Sequence, residues 1–342
     1  MTNDEVQRET GTVDGGIVTA EPRRSRFLNR LRGLWILGVL IAMVIIFGIL
    51  APGFLSLQNW VSTSVYATET LLLAIGETFV IATGGIDLSV GSSLGLSAIT
   101  SSMVMAALVS RPGMSIVLGS FAGLLTGAMV GLFNGLIITK LRITPFITTL
   151  GMLGIASGLG FLLSGGTDIT NIPPAFSNFG GYVFADFLGM PVLVTALVAV
   201  VSGVFLAKTR FGRRTYAIGS NREAARVAGI PLDRHLIKIY TLTGLLAGVA
   251  GLLNVARFAI GSPTAGQNDE LNAIAAVVIG GASLFGGEGT IFGTTIGAVI
   301  VSMIVTALVI LNVQAYWQIV VTGAIIIIAV YVDQLQRQRA DR

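Results

Sequence analysis

The chain has 342 residues, 53% of them hydrophobic and only 11% charged, with a formal net charge of +4. Soluble domains carry about 25% charged residues, so this composition excludes an ordinary water-soluble globular protein. There is no cysteine, which excludes disulfides and thiolate metal sites.

The mean hydropathy of +0.84 arises from apolar runs of the length that crosses a bilayer, roughly 18 residues or more. The expected fold is an all-α, polytopic integral membrane protein. Residues 1–32 are polar and basic, lack apolar periodicity, and read as a disordered cytoplasmic tail. They run straight into a full-length span without an A-x-A cleavage site, the pattern of an uncleaved anchor. Spans are predicted at 33–51, 61–82, 88–109, 114–139, 145–165, 190–208, 237–260, 268–285, 290–312 and 314–332, a membrane domain over 33–332. Residues 333–342 form a second cytoplasmic tail.

With about ten spans and both termini cytoplasmic, all of the 21 lysines and arginines except Arg111 and Arg257 fall on the cytoplasmic side. The positive-inside rule requires such an asymmetry. The basic pI of about 9.7 therefore marks topology, and no nucleic-acid partner is expected. The 44 glycines suit helices that pack backbone to backbone through small residues.

Two segments lie outside the spans. Residues 166–189 hold a proline pair, several aromatics and no basic residue, and read as an external loop with one short interfacial helix. Residues 208–236 form the long internal loop. There Ser220 or Asn221 can cap a helix through Glu223, Ala224, Ala225 and Arg226, which Gly229 and Pro231 then stop. The stretches "VIATGGIDLSVG" (80–91) and "VVIGGASLFGG" (277–287) each place a glycine pair between an inward and an outward span. Broken-helix repeats of transporters have this form, although chance in a glycine-rich chain competes with that reading.

Chemistry-bearing residues are few. No GxxxxGK[ST] loop occurs, so nucleotide hydrolysis by that route is excluded. No cofactor fingerprint or metal cluster is found, and the lone histidine, His235, reads as a solvated loop residue. Acids in or near the spans are Glu69, Glu77, Asp87, Asp269, Glu270 and Glu288. Intramembrane acids cost about 2.5 kcal/mol or more on insertion scales and are functional candidates by default. Asp87 also has a local role available, capping a half-helix that starts at Leu88. Asp269 and Glu270 read as solvated, and Glu288 as part of a tight internal turn. Glu77 lies deep in an apolar span. Asn134, Thr148, Thr149, Asn254 and Asn312 either bond a hydroxylated solute or tie helices together. The translocation-pathway candidates are Glu77, Asp87, Asn134, Thr148, Asn254 and Asn312.

The internal loop carries a resemblance. "EAARVAGIPLDRHLIKI" fits E-A-A-x3-G-x9-I from Glu223 through Gly229 to Ile239, and resembles the coupling-loop motif of ABC-importer permease subunits. Here the usual Leu-Pro ending is missing. Together with "TYAIGSNREAARVAGI", "GIDLSVGSSLG", "ITPFITTLGMLGIASGL" and "GGASLFGGEGTIFGTTIGA", the chain resembles ribose-type monosaccharide permeases over residues 35–332. That family is more distantly related to branched-chain amino-acid permeases.

The resemblance implies a bacterial inner-membrane subunit that is not itself an enzyme. It implies two permease chains per complex, as a homodimer, with an ABC ATPase subunit and an extracytoplasmic sugar-binding protein as partners. The implied ATPase-docking residues are Ser220, Asn221, Arg222, Glu223, Ala224, Ala225, Arg226 and Gly229, with Arg213 and Arg214 beside them. Rival readings are an ion-coupled secondary transporter using Glu77 and Asp87, a branched-chain amino-acid permease, and an integral-membrane enzyme.

Overall fold

The computed structural model describes residues 23–340, and most of the expected N-terminal tail lies outside them. Inside hydrocarbon a segment must satisfy its own backbone, and helices do so without a partner. The apolar runs accordingly become long helices. α1 (Arg23–Leu50) opens inside the segment expected to be a tail, and α2 (Leu57–Ile81) follows a short turn. α3 (Val90–Ala107), α4 (Pro112–Lys140) and α5 (Pro145–Ser164) come next, then the short α6 (Pro174–Gly181). A two-stranded antiparallel hairpin, β1 (Val183–Phe184) and β2 (Leu188–Gly189), pairs Val183 with Gly189 and Phe184 with Leu188. α7 (Met190–Lys208), α8 (Arg210–Ser220), α9 (Arg222–Val227) and α10 (Leu232–Phe258) follow. α11 (Asp269–Ile279), α12 (Ile291–Ile310) and α13 (Ala315–Ala340) complete the described chain. Prolines begin α4, α5, α6 and α7, where the missing N–H costs no helical hydrogen bond.

Among the described residues, seven helices are long and apolar enough to cross a membrane: α2, α3, α4, α5, α7, α10 and α12. The chain is an all-α polytopic membrane protein. α1 and α13 contribute shorter apolar stretches, Ile36–Leu50 and Tyr316–Ile328. The expected span at 268–285 is not a single helix. α11 has 11 residues, about 16 Å of helix, against a hydrocarbon core of about 30 Å. The apolar pattern continues through Gly280 and Gly281, but Gly281 adopts φ 85° and turns the chain.

α2 is the innermost helix, with every residue from Ala67 to Ile81 buried. It packs against α7, α10, α11 and α12. α4 and α10 cross closely, and β-carbons on Gly127 or Gly131 would collide with the backbone of Tyr240, Gly244 and Gly248. Lipid tails are as apolar as leucine, so such close backbone packing, rather than the hydrophobic effect, holds membrane helices together. Outward faces of α4, α5 and α7 carry exposed Val117, Phe121, Leu150, Leu162, Leu197 and Val200, as lipid-facing helices do. α6 and the hairpin cover one end of the bundle, and α8 and α9 the other. Between α5 and α6, Ile169 pairs with Gly261 in an isolated antiparallel bridge, with N–H to carbonyl distances of 2.8 and 2.9 Å.

Candidate functional site

The deeper polar centre forms where α2 gives way to α3. The chain turns at Gly84 and Gly85 and returns beneath α2, where the Asp87 N–H donates to Glu77 Oε2 at 3.4 Å. Asp87 Oδ1 accepts from the Ser89 N–H at 2.9 Å and the Ser89 hydroxyl at 2.6 Å. From α4, the Asn134 amide donates to that hydroxyl oxygen at 2.8 Å. Thr149 on α5 accepts from the Leu88 N–H at 3.1 Å and donates to the Ile86 carbonyl at 3.2 Å. Asp87 thus braces the turn, and its bond from the Ser89 N–H is of the kind expected for a cap, made just before the regular helix starts. The helix begins at Val90 rather than Leu88, with Ser89 as its N-cap.

Glu77 is wholly buried. Among the described residues, its Oε1, the Asn134 Oδ1 and the Tyr240 hydroxyl are buried without a hydrogen-bond partner, and so is Thr148 Oγ1 on α5. Buried polar atoms in folded proteins are normally bonded, so each such atom calls for an explanation such as ordered water or a solute group. Tyr240 lies within electrostatic reach of both acids.

A second centre ties α2 to α10. Glu69 Oε2 accepts from the Asn254 amide at 2.9 Å, and Arg257 stands 3.7 Å from Glu69 Oε1. Asn254 is therefore a helix tie here. Asn312 is exposed, adopts φ 56° and closes α12, as residues in the left-handed region do at helix ends. Neither joins the Glu77–Asp87–Asn134 centre. Glu270, expected to be solvated, is buried against Gly91 at the start of α3. His235 also departs from expectation. It is buried, with Nε2 2.9 Å from Thr215 Oγ1 and its ring 4.4 Å from that of Phe211.

The segment 208–236 folds as two helices rather than one. Thr209 caps α8 by accepting from the Gly212 N–H at 3.3 Å, and Asn221 caps α9 by accepting from the Ala224 N–H at 2.9 Å. Ser220, the alternative cap, is instead the last residue of α8. Ala225 packs beneath α9 with Ile218 and Leu232. Arg222, Glu223, Ala224, Arg226 and Gly229 are exposed, and Glu223 pairs with Arg226 at 3.0 Å. Val227 is 88% exposed, an uncovered apolar side chain at the tip of a charged arm.

α8 rests on two glycine turns that touch each other. The Gly287 N–H donates to the Ala82 carbonyl at 3.0 Å, joining the α2–α3 turn to the α11–α12 turn. Gly219 occupies their junction, where a β-carbon would strike the Ala82 carbonyl and the Gly287 N–H. Close by, the Thr78 and Thr294 hydroxyls share a hydrogen bond of 2.7 Å. Tyr216 donates to the Gly289 carbonyl at 2.6 Å, and burial raises its hydroxyl above the ordinary tyrosine range, so it remains a donor at neutral pH. Sequence reasoning missed Tyr216 and Gly219, and it named Glu270 but read it as solvated. The paired glycine stretches were the available signal for the first two.

Residues 59–330 match the family described as branched-chain amino acid transport system / permease component. The chain belongs to this family. It is a transport component rather than an enzyme, a multi-pass protein of the bacterial inner membrane. It is 43% identical over 299 residues to the ribose import permease protein of Bacillus subtilis (strain 168), covering 86% of this chain and 90% of that one. It is 37% identical over 300 residues to the D-allose transport system permease protein of Escherichia coli (strain K12), covering 87% and 90%. The galactose/methyl galactoside import permease protein of the same strain is 36% identical over 331 residues, covering 92% and 98%. No solved structure matches the chain.

Proposed function

We propose that this chain is the membrane-spanning subunit of an ATP-binding-cassette importer, passing a monosaccharide of the pentose or hexose class. In this reading an extracytoplasmic binding protein delivers the sugar at the α6 and hairpin end. A partner ATPase docks on the α8–α9 arm, around Ser220–Gly229. Two copies of this chain form the pathway, each with ten membrane passes and both termini cytoplasmic. No resident cofactor or metal enters the reading.

The observation that carries the docking assignment is the arm itself. α9 is capped at Asn221, underpinned by Ala225 and Ile218, and exposes its outer face, while α8 bears on the turns leading to α3 and α12. Binding there would move a helix that is packed against both turns, which suits a switch between outward- and inward-open states. The sugar class rests on the ribose, allose and galactose relatives.

Glu77, Asp87 and Asn134 brace the α2–α3 turn in this account, while Thr148 faces inward from α5. The family description favours one rival, a branched-chain amino acid. Proteoliposomes holding the permease with its ATPase and binding protein would decide it. Uptake of D-ribose, D-allose or D-galactose on adding ATP supports the reading, and uptake of L-leucine alone overturns it. Uptake that follows an imposed ion gradient without ATP would instead support a secondary transporter.

A further inference from the structure

Between α10 and α11 the chain does not continue as helix. Residues 261–268 run alongside α3 towards its start, with Gly261 beside Ser102, Ala265 beside Gly95 and Gly266 beside Gly91. Gly91 to Ser102 spans about 16 Å of a membrane-length helix, so this irregular backbone lies at membrane depth. Non-helical backbone survives there where it is buried in protein or borders a water-filled cavity. Thr264 and Gln267 are exposed, which leaves the second case.

The cavity is present. It measures about 170 Å3 and lies between the first turns of α3, the outer half of α5 and the 263–270 segment. Its polar wall is Ser92, Ser157, Thr264, Gln267, Asn268 and Glu270. Its apolar wall includes Leu96, Leu153 and Phe161. Among the described residues, no lysine, arginine or histidine lines it.

We infer that this cavity is a way-station for a neutral polyhydroxylated solute, a monosaccharide, on its path through the permease. The inference rests on the sugar-importer reading and adds the place and the groups. Hydroxyl and amide side chains both donate and accept, and a carboxylate accepts from two directions, so they fit a ring of hydroxyls presented edge-on. The C–H face of the sugar ring has Leu153 and Phe161 to lie against. An amino acid's carboxylate finds no cation on this wall, and the Glu270 carboxylate opposes it. Glu270 gains a function here beyond its packing against Gly91.

The absence of native cysteine makes the test clean. Ser157→Cys, with Leu197→Cys on the outward face of α7 as control, is reconstituted with the ATPase and binding protein in proteoliposomes. Both are then treated with a small charged methanethiosulfonate. The expected result is that Ser157→Cys reacts and its D-ribose or D-galactose uptake falls about tenfold, that saturating sugar slows the reaction, and that L-leucine does not. Leu197→Cys keeps its uptake. Gly160→Leu, which projects a side chain from a position with open space into the same cavity, should still purify with its ATPase yet lose uptake. An unreactive Ser157→Cys, or a Gly160→Leu permease that transports sugar normally, overturns the inference while the sugar-importer reading stands. Protection by L-leucine and not by sugar overturns the ligand class. A wild-type complex that moves no sugar refutes the importer reading itself.

Discussion

The Tyr216 hydroxyl donates to the Gly289 carbonyl across 73 residues of sequence, fastening the α8 arm to the turn that precedes α12. Gly219, one helical turn on, is wedged between that turn and the one after α2. The arm is therefore in direct contact with both breaks in the bundle.

Tyr216→Phe should lower thermal stability in detergent modestly, by about 1 kcal/mol for a lost hydrogen bond. Gly219→Leu must part the two turns, and overpacking of this kind costs roughly 1–3 kcal/mol. Its expected phenotype is ATP hydrolysis without matching uptake, read as the ratio of the two rates in proteoliposomes. A ratio equal to wild type would remove Gly219 from the transmission path.

Asp87 braces through one acceptor oxygen, Oδ1, so Asp87→Asn should keep the Ser89 interaction and remain well folded. Asp87→Ala strands the Ser89 N–H and should cost about 1–3 kcal/mol, visible as a lower melting temperature. Loss of transport in a stable Asp87→Asn protein would show that the charge itself is used.

At the α4–α10 crossing, Gly131→Leu drives a side chain into the Tyr240 backbone. Because packing is the main force holding such helices together, the variant should run as aggregate rather than as a monodisperse peak on size-exclusion chromatography. A monodisperse, active Gly131→Leu would mean that the crossing is looser than described.

Asn221→Ala removes the α9 cap at an expected cost of about 1 kcal/mol, whereas Asn221→Asp should be nearly neutral. Co-purification of the ATPase subunit measures the effect on docking. Equal recovery with both variants would separate α9 from the docking surface.

Most of the bundle was legible because apolar runs and starting prolines mark helices directly, as at Pro112 and Pro145. The expected span at 268–285 failed because composition stays apolar through Gly280 while the backbone turns at Gly281, and hydropathy does not register a φ angle. His235 was misread from its charged neighbours Arg234 and Lys238. Its spacing from Leu232, Leu236 and Ile239, all buried on one face of α10, was the better guide. Asn221 and Glu223 were readable because caps are local. The Tyr216–Gly289 bond and the approach of Glu270 to α3 join residues far apart in the chain, and no local pattern reports them.

The bridge between Ile169 and Gly261 gives the loop after α5 a short tether to the irregular segment beside α3. Two hydrogen bonds of 2.8 and 2.9 Å leave little slack. Pressure from a docked protein on that loop would tug the 261–268 backbone along α3 before any long helix needed to tilt. In the proposed importer the bridge would thus carry a movement of that loop into the interior.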